Sequence, residues 1–395
     1  MTTDARQILN DTLAAGLDAA APAIVLAVYH RGQLVYERAC GYLDPETARQ
    51  PTRSDTLFDL ASVTKLFTTT AFLMLLAEGR VALEGRVADV IPELTRYGPR
   101  PIEGGQNPHT LERLPAEHPT DRRVDPGAIT FFHLLTHTSG LAPWRDLFLN
   151  VGPTPPPPGQ PDPLPHRARL EKALDLIAGY PFVDEPGRTV NYSDLGLILL
   201  GEAVRRLDGA ETLAETIAAR VTGPLGLTQT TFNPLDTARC APTEFDARWR
   251  GRRCQGEVHD ENAASLGGIA GHAGLFSTAA ELARFGQQWL DAVRGRAPDW
   301  LPPAIARQAT RRQAGDRGLG WTIRPQPCGE CSAGERFSPA SFGHTGFTGT
   351  SLWIDPEREL VAALLTNRVY HGRDPAAITA FRPRVHDALC AWLDS

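Results

Sequence analysis

The stretch Ser62-Val63-Thr64-Lys65 leads directly into LFTTTAFLMLLAEG, which occupies residues 66–79. Residues 66–77 are apolar or small on every face, a pattern typical of a helix that is buried on all sides. Gly79 ends the pattern, and the run is shorter than the roughly 20 residues that a bilayer-spanning helix requires. The sequence therefore predicts a helix inside a globular core, with Ser62 at its entrance.

Ser62 and Lys65 are three residues apart, so on a helix the lysine amine lies one turn from the serine hydroxyl. A serine nucleophile needs a proton acceptor, and burial can lower a lysine pKa enough to provide one. Of the 40 basic residues only Lys65 and Lys172 are lysines, which indicates that lysine is used here for titration. The alternative is that Ser62 is a simple helix N-cap and Lys65 a solvated residue of the first turn.

The composition limits the classes of protein to consider. With 395 residues, 42% of them hydrophobic, the chain can bury a large core. A net charge of −6 gives no reason to expect nucleic acid or an anionic membrane as a partner. Residues 1–6 lack a signal-peptide pattern, so we expect a cytoplasmic protein, or a periplasmic or extracellular one if the sequence is already processed. The expected partner is a small-molecule or short-peptide substrate, and the oligomeric state stays undetermined.

Six cysteines are too few for a disulfide scaffold. The pair Cys328 and Cys331 forms one C-x-x-C without the second pair that a zinc site needs, so a loop with two free thiols is the favoured interpretation. Residues 256–262 and His272 cluster side chains that can bind metals, but their spacing matches no zinc or calcium pattern. We expect a hydrogen-bonded loop near a pocket there, and no metal and no cofactor.

The order of the remaining elements predicts an α+β fold. An amphipathic helix over 4–19, a hairpin over 23–39, a hairpin over 351–366 and a helix over 374–393 place sheet elements at both ends of the chain. We predict one antiparallel sheet built from both termini and flanked by helices, with an inserted mainly helical lobe. The whole chain, 1–395, is predicted to be one domain, with a sheet-containing lobe over 1–60 and 275–395 and a helical lobe over 61–274.

Local sequence patterns predict several loops, a turn and a helix start. Residues 96–127 are predicted to form a long loop, and 152–165, with eight prolines, an extended surface loop, a flap or a linker. His137 follows an apolar segment and is favoured as a turn histidine bonded to backbone over a catalytic base. Thr278 and Glu281 predict a capping box that begins a helix through Leu290.

Tyr192-Ser193-Asp194 precedes a second apolar helix, predicted over 195–207, and so repeats the arrangement at Ser62. A tyrosine there can act as a general base if positive neighbours lower its pKa. The alternative is that Ser193 or Asp194 caps the helix and Tyr192 only packs.

Three motifs stand in order along the chain: Ser62-Val63-Thr64-Lys65, Tyr192-Ser193-Asp194 and His344-Thr345-Gly346. Together they resemble the S-x-x-K, Y-x-N and K-T-G set of class C β-lactamases, low-molecular-weight penicillin-binding proteins and related serine esterases. The resemblance extends from the hairpin at Ala23 to Leu393 and implies a serine hydrolase that acts on an ester or amide through an acyl-enzyme.

The resemblance also implies roles for individual residues. Ser62 would attack the carbonyl, and Lys65 and Tyr192 would share the proton transfers, with the choice of general base left open. Backbone N–H groups of Ser62 and Phe347 would form the oxyanion hole. Asp194, His344, Thr345 and Gly346 would line the substrate site.

Two residues depart from the pattern of the resemblance. Asp194 replaces an asparagine, and His344 replaces a lysine with a group that titrates near neutrality. Both changes weaken the case for binding a β-lactam carboxylate, so we predict an esterase or amidase with weak or no β-lactamase activity. The alternatives are a D-alanyl-D-alanine carboxypeptidase or penicillin-binding protein, a true β-lactamase, and a non-catalytic binding or sensor protein on the same fold.

Overall fold

The computed structural model describes residues 5–116, 120–329 and 331–395. Its α-helices are α1 Ala5–Ala19, α2 Thr64–Ala77, α3 Phe131–Leu135, α4 His166–Gly179, α5 Asp194–Asp208, α6 Leu213–Ile217, α7 Glu261–Ser265, α8 Ala279–Val293, α9 Pro303–Ala309 and α10 Ala376–Leu393. Within these ranges, none of the helices has the length and apolar character needed to cross a membrane.

The strands are β1 Ala23–His30, β2 Gln33–Gly41, β3 Phe58–Asp59, β4 Arg100–Pro101, β5 Arg123–Val124, β6 Thr231–Phe232, β7 Phe245–Asp246, β8 Arg252–Arg253, β9 Leu275–Ser277, β10 Thr322–Ile323, β11 Phe342–Thr345, β12 Ser351–Asp355 and β13 Leu360–Thr366. The main sheet has the order β10-β11-β12-β13-β1-β2 and is antiparallel throughout. The predicted α+β fold, with one sheet built from both termini, is confirmed.

Alternation along β1 explains why helices cover both faces of this sheet. Val25 and Ala27 join the core that also contains α2 and α8, whereas Ile24 and Leu26 join a second core with α1 and α10. Side chains of successive strand residues point to opposite faces, so a strand that is apolar throughout must be covered twice. Arg31 and Gly32 form the turn of the predicted hairpin. Both residues have positive φ, as a two-residue type I′ turn requires.

Helix α2 is buried along its length, from Thr64 to Leu75, as the sequence predicts. It packs against α5, and the indole Nε1 of Trp289 on α8 donates a hydrogen bond to the hydroxyl of Thr70 at 3.0 Å. The helix is therefore fixed by core contacts on several sides. Its N-terminal end faces the last strands of the sheet through contacts between β11 and the turn at 61–63.

The loop predictions have mixed outcomes. Residues 152–165 contain no helix or strand, as predicted, and the predicted loop 96–127 contains only the short strands β4 and β5 and 3-10 turns among its described residues; 117–119 lie outside them. The capping-box prediction is wrong. Thr278 does cap α8, but the carboxylate of Glu281 accepts the backbone N–H of Gln229 and the hydroxyl of Thr230 instead of closing the box.

The prediction of two free thiols is also wrong, because Cys328 and Cys331 form a disulfide. The turn between them brings their Cα atoms to 5.4 Å, within the distance that a disulfide can bridge. Glu330, between them, and Asp4, at the start of the first predicted helix, lie outside the described residues.

Candidate active site

Ser62 lies in a 3-10 turn, Ala61–Val63, that runs into α2. Ala61 has a φ of 46°, a left-handed conformation that is costly for a residue with a Cβ. The carboxylate of Asp59 holds this conformation by accepting the Ala61 N–H at 2.8 Å. The N-cap residue of α2 is Val63, which makes no side-chain cap hydrogen bond, so the interpretation of Ser62 as a simple N-cap is wrong.

Lys65 is 1% exposed, so it is not a solvated first-turn residue. Its Nζ donates to Ser62 Oγ at 2.8 Å and to the His272 carbonyl at 3.0 Å, and lies 2.7 Å from Asp194 Oδ1. Burial alone would lower the pKa of Lys65, but the attraction of Asp194 and Tyr192 is larger in sum and raises the pKa above its ordinary value. The expectation of a lysine with a lowered pKa is therefore wrong, because an aspartate stands beside it.

Tyr192 completes this group of side chains. Its hydroxyl interacts with Lys65 and Ser62, and its ring centroid lies 4.9 Å from the lysine Nζ. Burial raises the pKa of Tyr192, and Lys65 opposes this shift without reversing it. The role of general base, as considered from the sequence, required that positive neighbours lower the pKa of this tyrosine. The pKa instead stays above its ordinary value.

The residue after Tyr192 has a structural role. Ser193 is the N-cap of α5 and accepts the N–H of Gly196 at 3.2 Å. Its own N–H donates to Nδ1 of His137 at 3.0 Å, and the His137 ring lies 4.5 Å from that of Tyr192. His137 is therefore the backbone-bonded turn histidine that the sequence favours, and it supports the tyrosine ring.

His344 lies on β11 with its ring 6.0 Å from that of Tyr192. Its Nδ1 donates to the carbonyl of Thr345 at 2.8 Å, because a carbonyl can only accept. Burial, together with Lys65 and Arg317, lowers the pKa of His344 to about 3. The expectation that this residue titrates near neutrality is wrong, since a buried imidazole beside two cations stays neutral.

The loop after His344-Thr345-Gly346 is attached directly to the turn that carries Ser62. Thr348 Oγ1 donates to the Asp59 carbonyl at 2.7 Å, and Thr350 Oγ1 to the Leu60 carbonyl at 3.0 Å. A Cβ at Gly346 would lie 2.5 Å from the Leu60 oxygen, so only glycine allows this approach.

The backbone N–H groups of Ser62 and Phe347 have no hydrogen-bond acceptor among the described residues. These two amides lie on segments that are joined by hydrogen bonds, and both are free to donate to a ligand oxygen. The guanidinium of Arg382 on α10 supports this loop by donating to the carbonyls of Gly346 and Thr350 at 2.8 and 2.9 Å.

Two cavities meet at this site, and Ser62, Tyr192 and Phe347 line both of them. The larger cavity, about 450 Å³, lies on the β11 and α10 side and is also lined by Arg317, Arg368 and Arg382. The smaller cavity, about 200 Å³, is also lined by Trp144, Asp194, Asp260 and Glu261. A carbonyl next to Ser62 would thus have space for a substituent on either side.

Sequence reasoning did not find the supporting residues of the site. The predicted hydrogen-bonded loop is present over 256–260, whereas residues 261 and 262 begin α7. In this loop His259 pairs with Glu244 at 3.1 Å and Asp260 with His272 at 2.8 Å. However, no sequence pattern indicates that the His272 carbonyl binds Lys65. Arg317 was also missed, because it belongs to none of the three motifs.

The fold and the geometry at Ser62 together define a serine hydrolase on a β-lactamase-type scaffold. The family model described as beta-lactamase matches residues 9–383, and the chain belongs to that family. Two relatives are 30% identical: esterase EstB of Burkholderia gladioli, over 92% of this chain and 90% of that protein, and N-acetylmuramyl-L-alanine amidase of Bacillus subtilis, over 92% and 80%. The solved structure of EstCE1, a hydrolase with promiscuous acyltransferase activity, has a TM-score of 0.72 at 20% identity and covers 98% of both chains.

Proposed function

We propose that this serine hydrolase cleaves esters or amides with Ser62 as nucleophile and Tyr192, in its phenolate form, as general base. The observation that carries the proposal is the hydrogen bonding of Lys65. Its ammonium contacts Ser62, His272, Asp194 and Tyr192, and an ammonium only donates hydrogen bonds, so Lys65 cannot accept the serine proton. Among the described residues, Tyr192 is the other side chain that interacts with Ser62, so we assign its oxygen as the acceptor of the serine proton.

The reaction then proceeds in two acyl transfers, first from the substrate to Ser62 and then from Ser62 to water. Ser62 Oγ bonds to the carbonyl carbon while its proton moves to Tyr192, and the N–H groups of Ser62 and Phe347 bind the oxyanion. Tyr192 returns the proton to the leaving group as the bond to that group breaks. Water then attacks the acyl-enzyme, gives a proton to Tyr192, and Ser62 recovers it on release of the acid. Lys65 stays charged and orients both oxygens.

Covalent trapping tests this proposal. After brief incubation with p-nitrophenyl acetate, intact-protein mass should increase by one acetyl group, and peptide mapping should place the group on Ser62. The Ser62→Ala variant should not gain the group, whereas Ser193→Ala should. Acetylation of another residue, or equal hydrolysis by Ser62→Ala, would rule out the assignment.

The activity should also depend on pH in one direction. Burial raises the pKa of Tyr192, and the base must lose its proton, so kcat/KM should rise as pH increases through the neutral and alkaline range. His344, with a pKa of about 3, should add no inflection between pH 5 and pH 9. A profile that is flat above pH 6 would exclude phenolate as the base.

A peptidase that acts on a substrate with a carboxylate is the second candidate. It is favoured by the guanidinium groups of Arg317, Arg368 and Arg382 in the larger cavity. We still predict weak or no β-lactamase activity, and efficient hydrolysis of a chromogenic cephalosporin would contradict that prediction. A stable penicillin adduct on Ser62 would favour the peptidase over the esterase.

A further inference from the structure

Arg317 lies outside the three motifs, in the segment between α9 and β10. Its backbone N–H donates to the Ala314 carbonyl at 2.9 Å, and its Nη1 donates to the hydroxyl of Thr322 at 2.7 Å. These bonds aim the side chain at the catalytic tyrosine: the guanidinium carbon lies 5.2 Å from the centroid of the Tyr192 ring. Arg317 and Ser62 also line the same cavity.

Arg317 forms no ion pair with a carboxylate in the described part of the chain. Buried arginines elsewhere in the structure do: Arg250, for example, pairs with Asp246 at 2.9 Å. The guanidinium is charged at any pH relevant to an enzyme. An unpaired cation beside the ring of Tyr192 favours the phenolate over the phenol.

The charges that face Tyr192 can be counted. Lys65 is positive and Asp194, 2.7 Å away, is negative, so this pair contributes no net charge. His137 and His344 flank the ring, and burial lowers the pKa of both imidazoles, which are therefore neutral. Among the groups that lie against the Tyr192 ring and their ion-pair partners, Arg317 remains as the net positive charge. A phenolate at Tyr192 would balance it.

The same count of charges explains why the protein can have a histidine at position 344, where the K-T-G motif has a lysine. A lysine at that position, as in the K-T-G motif that the chain resembles, would place a cation on β11 beside Tyr192. His344 provides none, and Arg317 places a cation beside the same ring from a different segment of the chain. The site thus has a positive charge from Arg317, although position 344, which is a lysine in the K-T-G motif, is neutral.

We propose that Arg317 is a positioning residue that stabilises the phenolate form of Tyr192 relative to the phenol, and so takes the electrostatic role that a lysine at position 344 would have. This inference rests on the proposed function, in which Tyr192 is the general base. Burial lowers the pKa of the Arg317 guanidinium and Tyr192 acts in the opposite direction, which agrees with a direct interaction between the two groups.

The test is the pH profile of kcat/KM for p-nitrophenyl acetate, with Arg317→Gln, Arg317→Lys and, as matched control, Arg311→Gln. Arg311 is an exposed arginine of the same segment and does not line the cavity. The rising limb is the part of the profile in which kcat/KM increases with pH. In Arg317→Gln this limb should move by about one to two pH units to higher pH, because the variant removes a unit charge a few ångströms from Tyr192 at an effective dielectric constant near 20. In Arg317→Lys and Arg311→Gln, kcat/KM should rise over the same pH range as in the wild type.

Two further measurements make the result decisive. The double variant Arg317→Gln/His344→Lys should return the limb toward its wild-type position, because a cation is restored beside Tyr192. Ultraviolet titration of the phenolate, with Tyr192→Phe subtracted, should show the same shift without any turnover. Thermal melting of each variant confirms that it is folded.

Other outcomes would overturn the inference. An equal loss of kcat/KM at every pH would show that Arg317 only shapes the cavity. An increase in KM confined to esters with a carboxylate, with no shift of the limb, would show that it binds a substrate anion. If Ser62 is acetylated and the limb does not move, Arg317 is excluded but the proposed nucleophile stands; if Ser62 is not acetylated, the proposed function itself fails.

Discussion

The N-terminal ends of α2 and α5 look alike in sequence but use their serines differently. Ser193 is bound on both sides: its hydroxyl accepts from Gly196, donates to the Ala142 carbonyl and caps α5. Ser62 precedes a helix without a side-chain cap, and its backbone N–H has no acceptor among the described residues. The difference lies in the left-handed Ala61, which turns the chain before Ser62 so that the serine faces the cavities.

The comparison shows what makes a serine available for chemistry. A capping serine satisfies the helix end and is held by two hydrogen bonds. At α2 the free donors at the helix entrance remain for a ligand. Within the described ranges, the side chains that interact with Ser62 are those of Lys65 and Tyr192. One end stabilises the fold, and the other leaves an oxyanion site open.

The largest effect should come from Ser62→Ala. Loss of the nucleophile should lower kcat/KM for an ester by about 10⁴-fold or more. Thermal stability should change little, because Ser62 caps no helix. Stopped-flow or steady-state assay of the purified variant, with its melting temperature, measures both. Residual activity within tenfold of wild type would remove the functional difference between the two serines.

Gly346→Ala should have the next largest effect. The new Cβ would collide with the Leu60 carbonyl and push the 346–350 loop away from the turn that carries Ser62. Loss of one oxyanion donor costs about 3 kcal/mol in the transition state, so kcat should fall on the order of 10²-fold. Gly179→Ala is the control, because a Cβ there meets only the Tyr97 ring at 3.7 Å. Equal effects of the two changes would mean that the loop position does not matter.

Ser193→Ala should show the opposite balance to Ser62→Ala. Removal of a helix cap costs about 1 kcal/mol, and the lost bond to the Ala142 carbonyl adds to that. We expect the free energy of unfolding to fall by about 1–2 kcal/mol in urea titrations, and kcat/KM to fall only a few-fold. A loss of activity as large as that of Ser62→Ala, in a folded variant, would show that Ser193 also takes part in the chemistry.

The sequence predicted the sheet from both termini, the buried helix α2 and the meeting of the three motifs, because each depends on local periodicity or on a resemblance that spans the chain. Residues 62, 65 and 192 do meet. The protonation states could not be predicted. They depend on charges brought together by the fold, such as Asp194 beside Lys65 and Arg317 beside His344, which no spacing along the chain reveals.

The smallest effect, and the most direct test of the comparison, should come from Ala61→Gly. Glycine removes a left-handed penalty of roughly 1–2 kcal/mol, but it loses a buried methyl group and adds chain entropy to the unfolded state. These contributions oppose one another, so the free energy of unfolding should change by less than about 1 kcal/mol. Since the turn is then held less firmly, we expect kcat/KM to fall about twofold. Unchanged kcat/KM would show that the Asp59 bond and the 346–350 loop alone fix Ser62, and that the conformation of Ala61 follows from them.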